Sequence, residues 1–344
     1  MMRGAPLDAA RTVACALVVL AHVDILMRAG VESWWPGGTP IVPVLGTAVP
    51  TFFLLSGLSF PRWGPGSRFR PYARRKLRQL VVPFVVWNAI TLLLMPVERT
   101  PLWYGGFNLL TGAWHLYFIF ALLQLMALAW FAERHLRLRG GLLLLIAGVI
   151  TGAMYLWSDS LLWSQGGDGL SFEATIRKFG PTWGFFFAIG VWLRDRPELP
   201  GRLVGRWWFW PAMAAGYAAY LGALNTEVAW LGYATRLQFL AGGVPFQVLG
   251  PLALIGALQR LQTFEPARRV VGALARGGRH TFGVYLAHAP VLLLLAYGLA
   301  WARAPLASVW LAPVLWMGAG AGALLLARAA GAAPLLSRAF GVRR

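Results

Sequence analysis

Arg11 and His22 stand eleven positions apart in the first apolar stretch, Asp8-Ala-Ala-Arg11-Thr-Val-Ala-Cys-Ala-Leu-Val-Val-Leu-Ala-His22. At 100° per residue, eleven steps make three turns and about 20°, so one helix face carries both side chains roughly 16 Å apart along the axis. An arginine at one end of that face can bind an anion, and a neutral imidazole further along can accept a proton. The pair fits a tunnel with an anion-binding mouth and a base at depth. It fits equally a snorkelling arginine and a histidine bonded to a neighbouring helix, and spacing alone does not separate the two.

Other residues bear on chemistry. Thr51-Phe52-Phe53-Leu54-Leu55-Ser56-Gly57 ends the second apolar run. A Ser-Gly pair permits close helix approach, and Ser56 lacks the G-x-S-x-G elbow of an activated nucleophile, so packing is its expected role. The run Arg74-Arg75-Lys76-Leu77-Arg78 suits phosphate groups or a topology lock. Trp114 and His115 open the fourth run, and Tyr285 and His288 lie in the ninth, where a histidine inside an apolar segment requires a partner. His135 and His280 fall in basic loops. No two of the five histidines are spaced as i,i+4 metal ligands, so no metal site is expected. The single cysteine, Cys15, reads as an inert thiol.

These residues need a scaffold, and composition says which. Hydrophobic residues make up 58% of the 344 and charged ones 12%, with mean hydropathy +0.61. No soluble core hides that much apolar surface, so lipid is the solvent expected. Net charge is +19, but the cations sit in short gaps between apolar runs rather than on a polar domain, which excludes nucleic acid as partner. Runs long enough to span a bilayer occur at about 10–29, 41–60, 79–97, 113–132, 141–158, 179–193, 207–223, 244–261, 281–301 and 308–328. His22 and Asp24 interrupt the first run, which favours a retained helix over a cleaved signal peptide.

With the N-terminus inside, the positive-inside rule is met at every cytoplasmic loop. Only Arg28, Arg99, Arg177, Lys178, Arg236 and Arg303 of the 31 basic residues then lie outside. The expected fold is an all-α polytopic membrane bundle of about ten helices. Both termini are cytoplasmic, and residues 1–344 form a single transmembrane domain. Trp34, Trp35, Trp103, Trp157 and Trp163 at the outer ends, with Trp207, Trp208 and Trp210 at an inner one, read as interfacial anchors.

Taken in order, five stretches resemble the acyltransferase-3 family of bacterial membrane proteins. They are Leu7-Asp8-Ala9-Ala10-Arg11 through His22, Phe52 to Gly57, Arg74 to Arg78 with Pro83, Trp114-His115-Leu116-Tyr117-Phe118, and Thr281-Phe282-Gly283-Val284-Tyr285-Leu286-Ala287-His288. The resemblance implies transfer of an acyl group, acetyl most commonly, from cytoplasmic acyl-CoA to a hydroxyl of an extracytoplasmic glycan or glycolipid. The setting is the bacterial inner membrane. It maps a catalytic histidine onto His22, with Arg11, and donor-binding arginines onto Arg75 and Arg78, beside Arg74. Acyl-CoA is a substrate in this reading, and no permanent cofactor is implied.

Tyr117 stands where members more often have Trp, and no appended esterase-like domain is read, so any final delivery step is expected at the membrane or elsewhere. The alternative is a non-enzymatic transporter or flippase for a lipid-linked substrate. It predicts internal repeats with broken helices, and no match between halves is found.

Overall fold

The computed structural model describes residues 4–30, 41–63, 67, 69–94, 102–138, 140–164, 176–225, 243–302, 311–332 and 339–340, and among these no strand occurs. The helices are α1 (Ala5–Gly30), α2 (Val42–Gly46), α3 (Ala48–Leu58), α4 (Phe69–Lys76), α5 (Val82–Leu94), α6 (Leu102–Thr111), α7 (Tyr117–Arg134) and α8 (Gly140–Ser164). They continue with α9 (Gly184–Leu193), α10 (Leu199–Leu203), α11 (Phe209–Asn225), α12 (Val244–Leu261), α13 (Glu265–Gly278), α14 (Thr281–Trp301) and α15 (Leu311–Ala332).

Over its described residues, each of the ten apolar runs lies on a helix or a helix pair. Six spans among the described residues are long and apolar enough to cross a bilayer: Ala5–Met27, Phe69–Leu94, Trp114–Arg134, Val244–Leu261, Thr281–Trp301 and Leu311–Ala330. Val42–Leu58, Gly140–Leu156 and Gly180–Leu193 are apolar but shorter.

Two runs differ from their sequence reading. The second is broken into α2 and α3 at Thr47, whose hydroxyl donates back to the Val44 carbonyl at 2.7 Å. The third starts earlier, at Phe69, so Arg74 to Arg78 lie within the helix rather than before it. Long arginine stems let a helix begin before hydropathy rises, because the charged heads reach back to water. Trp207, Trp208 and Trp210 are exposed, as interfacial anchors require. Trp34, Trp35, Arg3, Arg68, Arg99, Arg139, Arg236, Arg303, Arg338, Arg343 and Arg344 lie outside the described residues.

The chain divides into two compact units. The first comprises Met1–Ala14, Pro40–Pro65 and Ala121–Gly278. Its core gathers Leu54 and Leu55 of α3, Ile189 and Leu193 of α9, and Ile255 and Leu258 of α12 around Phe209. A buried ion pair staples the end of α7 to the end of α9 and to the segment after α3. Glu133 Oε1 accepts from Arg194 Nη2 at 2.8 Å, Arg194 Nη1 donates to the carbonyls of Phe60 and Pro61, and the Trp63 amide donates to Glu133 Oε2. The Glu133 side chain is 3% exposed. Removing one partner of a buried pair leaves an uncompensated charge and costs about 3–5 kcal/mol. Glu133→Ala should therefore lower the thermal midpoint of the detergent-purified protein sharply. A Glu133→Met, Arg194→Leu double variant should recover much of the loss, and equal midpoints for all three proteins would refute the staple.

The second unit comprises Cys15–Thr39, Gly66–Phe120 and Arg279–Arg344. Ala312, Ala319, Ala323 and Ala327 recur along one face of α15 and are fully buried, so α14 and α15 approach closely. A Cβ on Gly283 would stand 2.8 Å from that of Ala327. Val19, Val23 and Met27 of α1 pack with Leu292 and Leu315, and Trp316 Nε1 donates to the Ala16 carbonyl at 2.9 Å.

Candidate active site

Three histidines from distant parts of the sequence meet in the second unit. The His22 ring centroid lies 5.0 Å from His288 and 5.6 Å from His115, while His115 and His288 are 4.7 Å apart. Trp114 stands edge-on to His22 at 5.1 Å, and Tyr285 to His115 at 5.3 Å. The Tyr285 hydroxyl donates to the His115 carbonyl. His288 is fully buried and His115 is 3% exposed, whereas His22 is half-buried and the most accessible of the three.

The elements explain the convergence. His22 projects from α1, three turns after Arg11. His288 lies on α14, one helical turn after Tyr285, so both present to the same side. His115 sits in the 3-10 turn Trp114–Leu116 that opens α7. Trp114 has φ +48°, a left-handed conformation rare outside glycine, and Gly112 before it has φ +97°. Strained backbone of this kind persists only where its surroundings fix it, and it concentrates at functional sites.

Hydrogen bonding assigns the tautomers. His288 Nδ1 faces the carbonyls of Tyr285 at 2.7 Å and Val284 at 3.2 Å, both acceptors, so it carries the proton and Nε2 keeps the lone pair. That Nε2 lies 3.4 Å from His22 Nδ1, which also meets the Val18 carbonyl at 2.8 Å. Both neighbours of His22 Nδ1 are therefore acceptors, and Nδ1 must be the protonated nitrogen. His22 Nε2 is left with its lone pair. Two acceptors at Nδ1 thus fix the ring's orientation and tautomer, an arrangement in which Nε2 is able to take a proton.

Residues 5–330 match a family model described as an acyltransferase domain. The chain belongs to the acyltransferase-3 family. No curated protein and no solved structure matches it.

The acyltransferase is a multi-pass membrane protein. Arg74 and Arg75 end α4, and Arg78 lies in the π-turn Leu77–Val81 that joins α4 to α5. All three are exposed, and no carboxylate pairs with them among the described residues. Arg75 and Lys76 flank the Tyr72 ring, each 5.8 Å from its centroid. π-turns within helices frequently mark functional positions.

Arg11 is engaged locally. Its Nη1 pairs with Asp8, one turn earlier, and its Nη2 donates to Ser59 Oγ at 2.9 Å. The sequence reading had not paired it, though Asp8 at i−3 was the available signal. Ser56 is half-buried on α3, where its neighbour Gly57 makes the close approach. Cys15 Sγ is buried and donates to the Thr281 carbonyl. His280 lies at the polar start of α14, outside the cluster, where burial, with Arg328 and Arg279 nearby, holds its imidazole below the ordinary value. Among the described residues no group of His, Cys, Asp or Glu is arranged to hold a metal ion.

Proposed function

We propose that this acyltransferase moves an acyl group, acetyl in the simplest case, from cytoplasmic acyl-CoA to a hydroxyl of an extracytoplasmic saccharide or glycolipid. It does so from the bacterial inner membrane, with about ten crossing helices and both termini in the cytoplasm. The observation that carries the reading is the tautomer of His22, whose Nδ1 is held between two acceptors so that Nε2 is a free base.

The step balances with no further reagent. His22 Nε2 takes the proton of the acceptor hydroxyl as its oxygen attacks the thioester carbonyl carbon. The resulting tetrahedral oxyanion collapses with cleavage of the C–S bond, and the CoA sulfur leaves with the proton returned by the imidazolium. The positive charge present between these events is shared with the His288 Nε2 lone pair and the Val18 carbonyl. The only cysteine is buried and engaged, which favours direct transfer over an acyl-enzyme. Arg74, Arg75 and Arg78 supply cations for the phosphates of CoA, with Arg11 a further cation on the α1 face.

Membranes containing the protein should transfer label from radioactive acetyl-CoA into a glycan or glycolipid fraction, and control membranes should not. Arg75→Ala and Arg78→Ala should each raise the apparent KM for acyl-CoA by about ten- to a hundredfold with kcat nearly unchanged, since a hydrogen bond to a charged group contributes roughly 1.5–3 kcal/mol. Well-folded protein that transfers neither acetyl nor a longer acyl group would overturn the assignment.

A further inference from the structure

We infer that Asn88 is a positioning residue of the transfer site: its side-chain amide clamps the left-handed turn that sets Trp114 and His115 against His22. The inference rests on the proposed role of His22, but the hydrogen bonds of Asn88 go to Asn108, Leu109 and Ala113 and not to a histidine.

Asn88 lies in the apolar helix α5 and is 1% exposed. A polar side chain buried in a membrane helix must be satisfied, and the cheapest way is back-bonding to its own helix. Thr91, one turn on, does this, donating to the Trp87 carbonyl at 2.8 Å. Asn88 instead reaches across. Its Nδ2 donates to the carbonyls of Asn108 at 3.0 Å and Leu109 at 2.8 Å. Both are in the last turn of α6, where the Asn108 carbonyl also accepts from the Gly112 amide at 2.8 Å. Its Oδ1 accepts from the Ala113 amide at 2.7 Å. One amide thus joins the end of α6 to the residue immediately before Trp114.

The turn it holds is strained and tight. Gly112 and Trp114 both have positive φ, which is strained for a residue such as tryptophan. A Cβ on Gly112 would stand 2.7 Å from Leu116 C and from Tyr117 N, so the loop folds directly onto the start of α7. On its far side the turn is fixed by Tyr285, whose hydroxyl bonds the His115 carbonyl. Asn88 and Tyr285 therefore hold opposite ends of a three-residue segment, Ala113 to His115, and the two rings of that segment lie against His22. If the Ala113 end is freed, Trp114 can relax toward ordinary φ. Both rings then move away from His22.

The test compares Asn88→Ala with Gln124→Ala. Gln124 makes an amide clamp of the same kind in the first unit, donating to the Lys178 carbonyl and accepting from the Gly180 amide. Two readouts are taken on purified, monodisperse protein: transfer kinetics, and carbethoxylation of individual histidines by diethyl pyrocarbonate, followed by mass spectrometry. Asn88→Ala should lower kcat by about a hundredfold with the KM for acetyl-CoA within threefold, an effect of the size seen when catalytic geometry slips by about 1 Å. It should also raise the labelling rate of buried His115 at least tenfold relative to exposed His135. Gln124→Ala should change neither.

Unchanged His115 labelling with unchanged kcat overturns the inference, and so does a loss of activity equal in the two variants without relabelling. Should Asn88→Ala yield no folded protein, Asn88→Asp keeps the acceptor for Ala113 and removes the donors to α6. Intermediate values of both readouts are then expected, and wild-type values overturn the inference. Labelling does not depend on the reaction, so a wild-type protein inactive with every donor would refute the proposed function while the turn was still read.

Discussion

His22→Ala should reduce acyl transfer by roughly a hundred- to ten-thousand-fold, the range that removal of a general base produces. The side chain is half-buried in a helix that the rest of α1 determines, so expression and membrane insertion should be unaffected. His22→Gln, which keeps polarity and some of the volume beside Trp114 but cannot take a proton, should be as inactive as the alanine variant. His288→Ala tests the tautomer argument. It removes one of two acceptors at His22 Nδ1 and leaves the Val18 carbonyl, so the ring is held less firmly but not released. A smaller loss, about tenfold, follows. The two effects should not add, because His288 acts only through His22, and residues that work as a unit are strongly non-additive. The double variant should therefore be no slower than His22→Ala alone. Full activity of His22→Ala would remove the mechanism, and additive losses would make His288 an independent contributor.

The apolar helices were legible because lipid imposes a length and an apolarity on a spanning run, and six spans among the described residues meet both. Helix limits were less so. The start of the third helix at Phe69 was hidden because hydropathy penalises Arg74 to Arg78, although their stems are compatible with a helix. His22 and His288 stood out individually, since each is an ionisable group inside an apolar run. Their meeting was not readable, because contact between residues 266 positions apart depends on how α1 and α14 pack. Asn88 was not singled out in the sequence, because its partners are backbone carbonyls and an amide, which carry no side-chain signature. The left-handed Trp114 was equally silent, since nothing in Ala-Trp-His announces positive φ. At Arg11 the local partner Asp8 was in the sequence, whereas Ser59 required the fold.

Gly57→Ala should cost about 3 kcal/mol or more and leave little folded protein, through backbone contact rather than any loss of chemistry. An ideal Cβ on Gly57 falls on the carbonyl oxygen of Phe187 and stands 2.9 Å from Val191 N and 3.1 Å from Gly190 Cα. The contact is reciprocal: a Cβ on Gly190 meets the carbonyl oxygen of Leu54, with Leu58 N at 2.8 Å and Gly57 Cα at 2.9 Å. Every obstructing atom is backbone, so no rotamer change can relieve the clash, and α3 and α9 must separate along their whole crossing. That separation parts Leu54 and Leu55 from Ile189 and Leu193. In a bilayer this packing is what holds helices together, since lipid tails offer apolar side chains an equally good solvent. Gly152 on α8 provides the control, because a Cβ there meets nothing within 4 Å and alanine is the better helix former. Gly152→Ala should match or exceed the wild-type yield and thermal midpoint in detergent gel filtration, while Gly57→Ala and Gly190→Ala should both collapse. Normal yields for either of the latter would mean that the two helices do not cross in backbone contact, and the Ser56-Gly57 pair would lose its explanation as a packing signal.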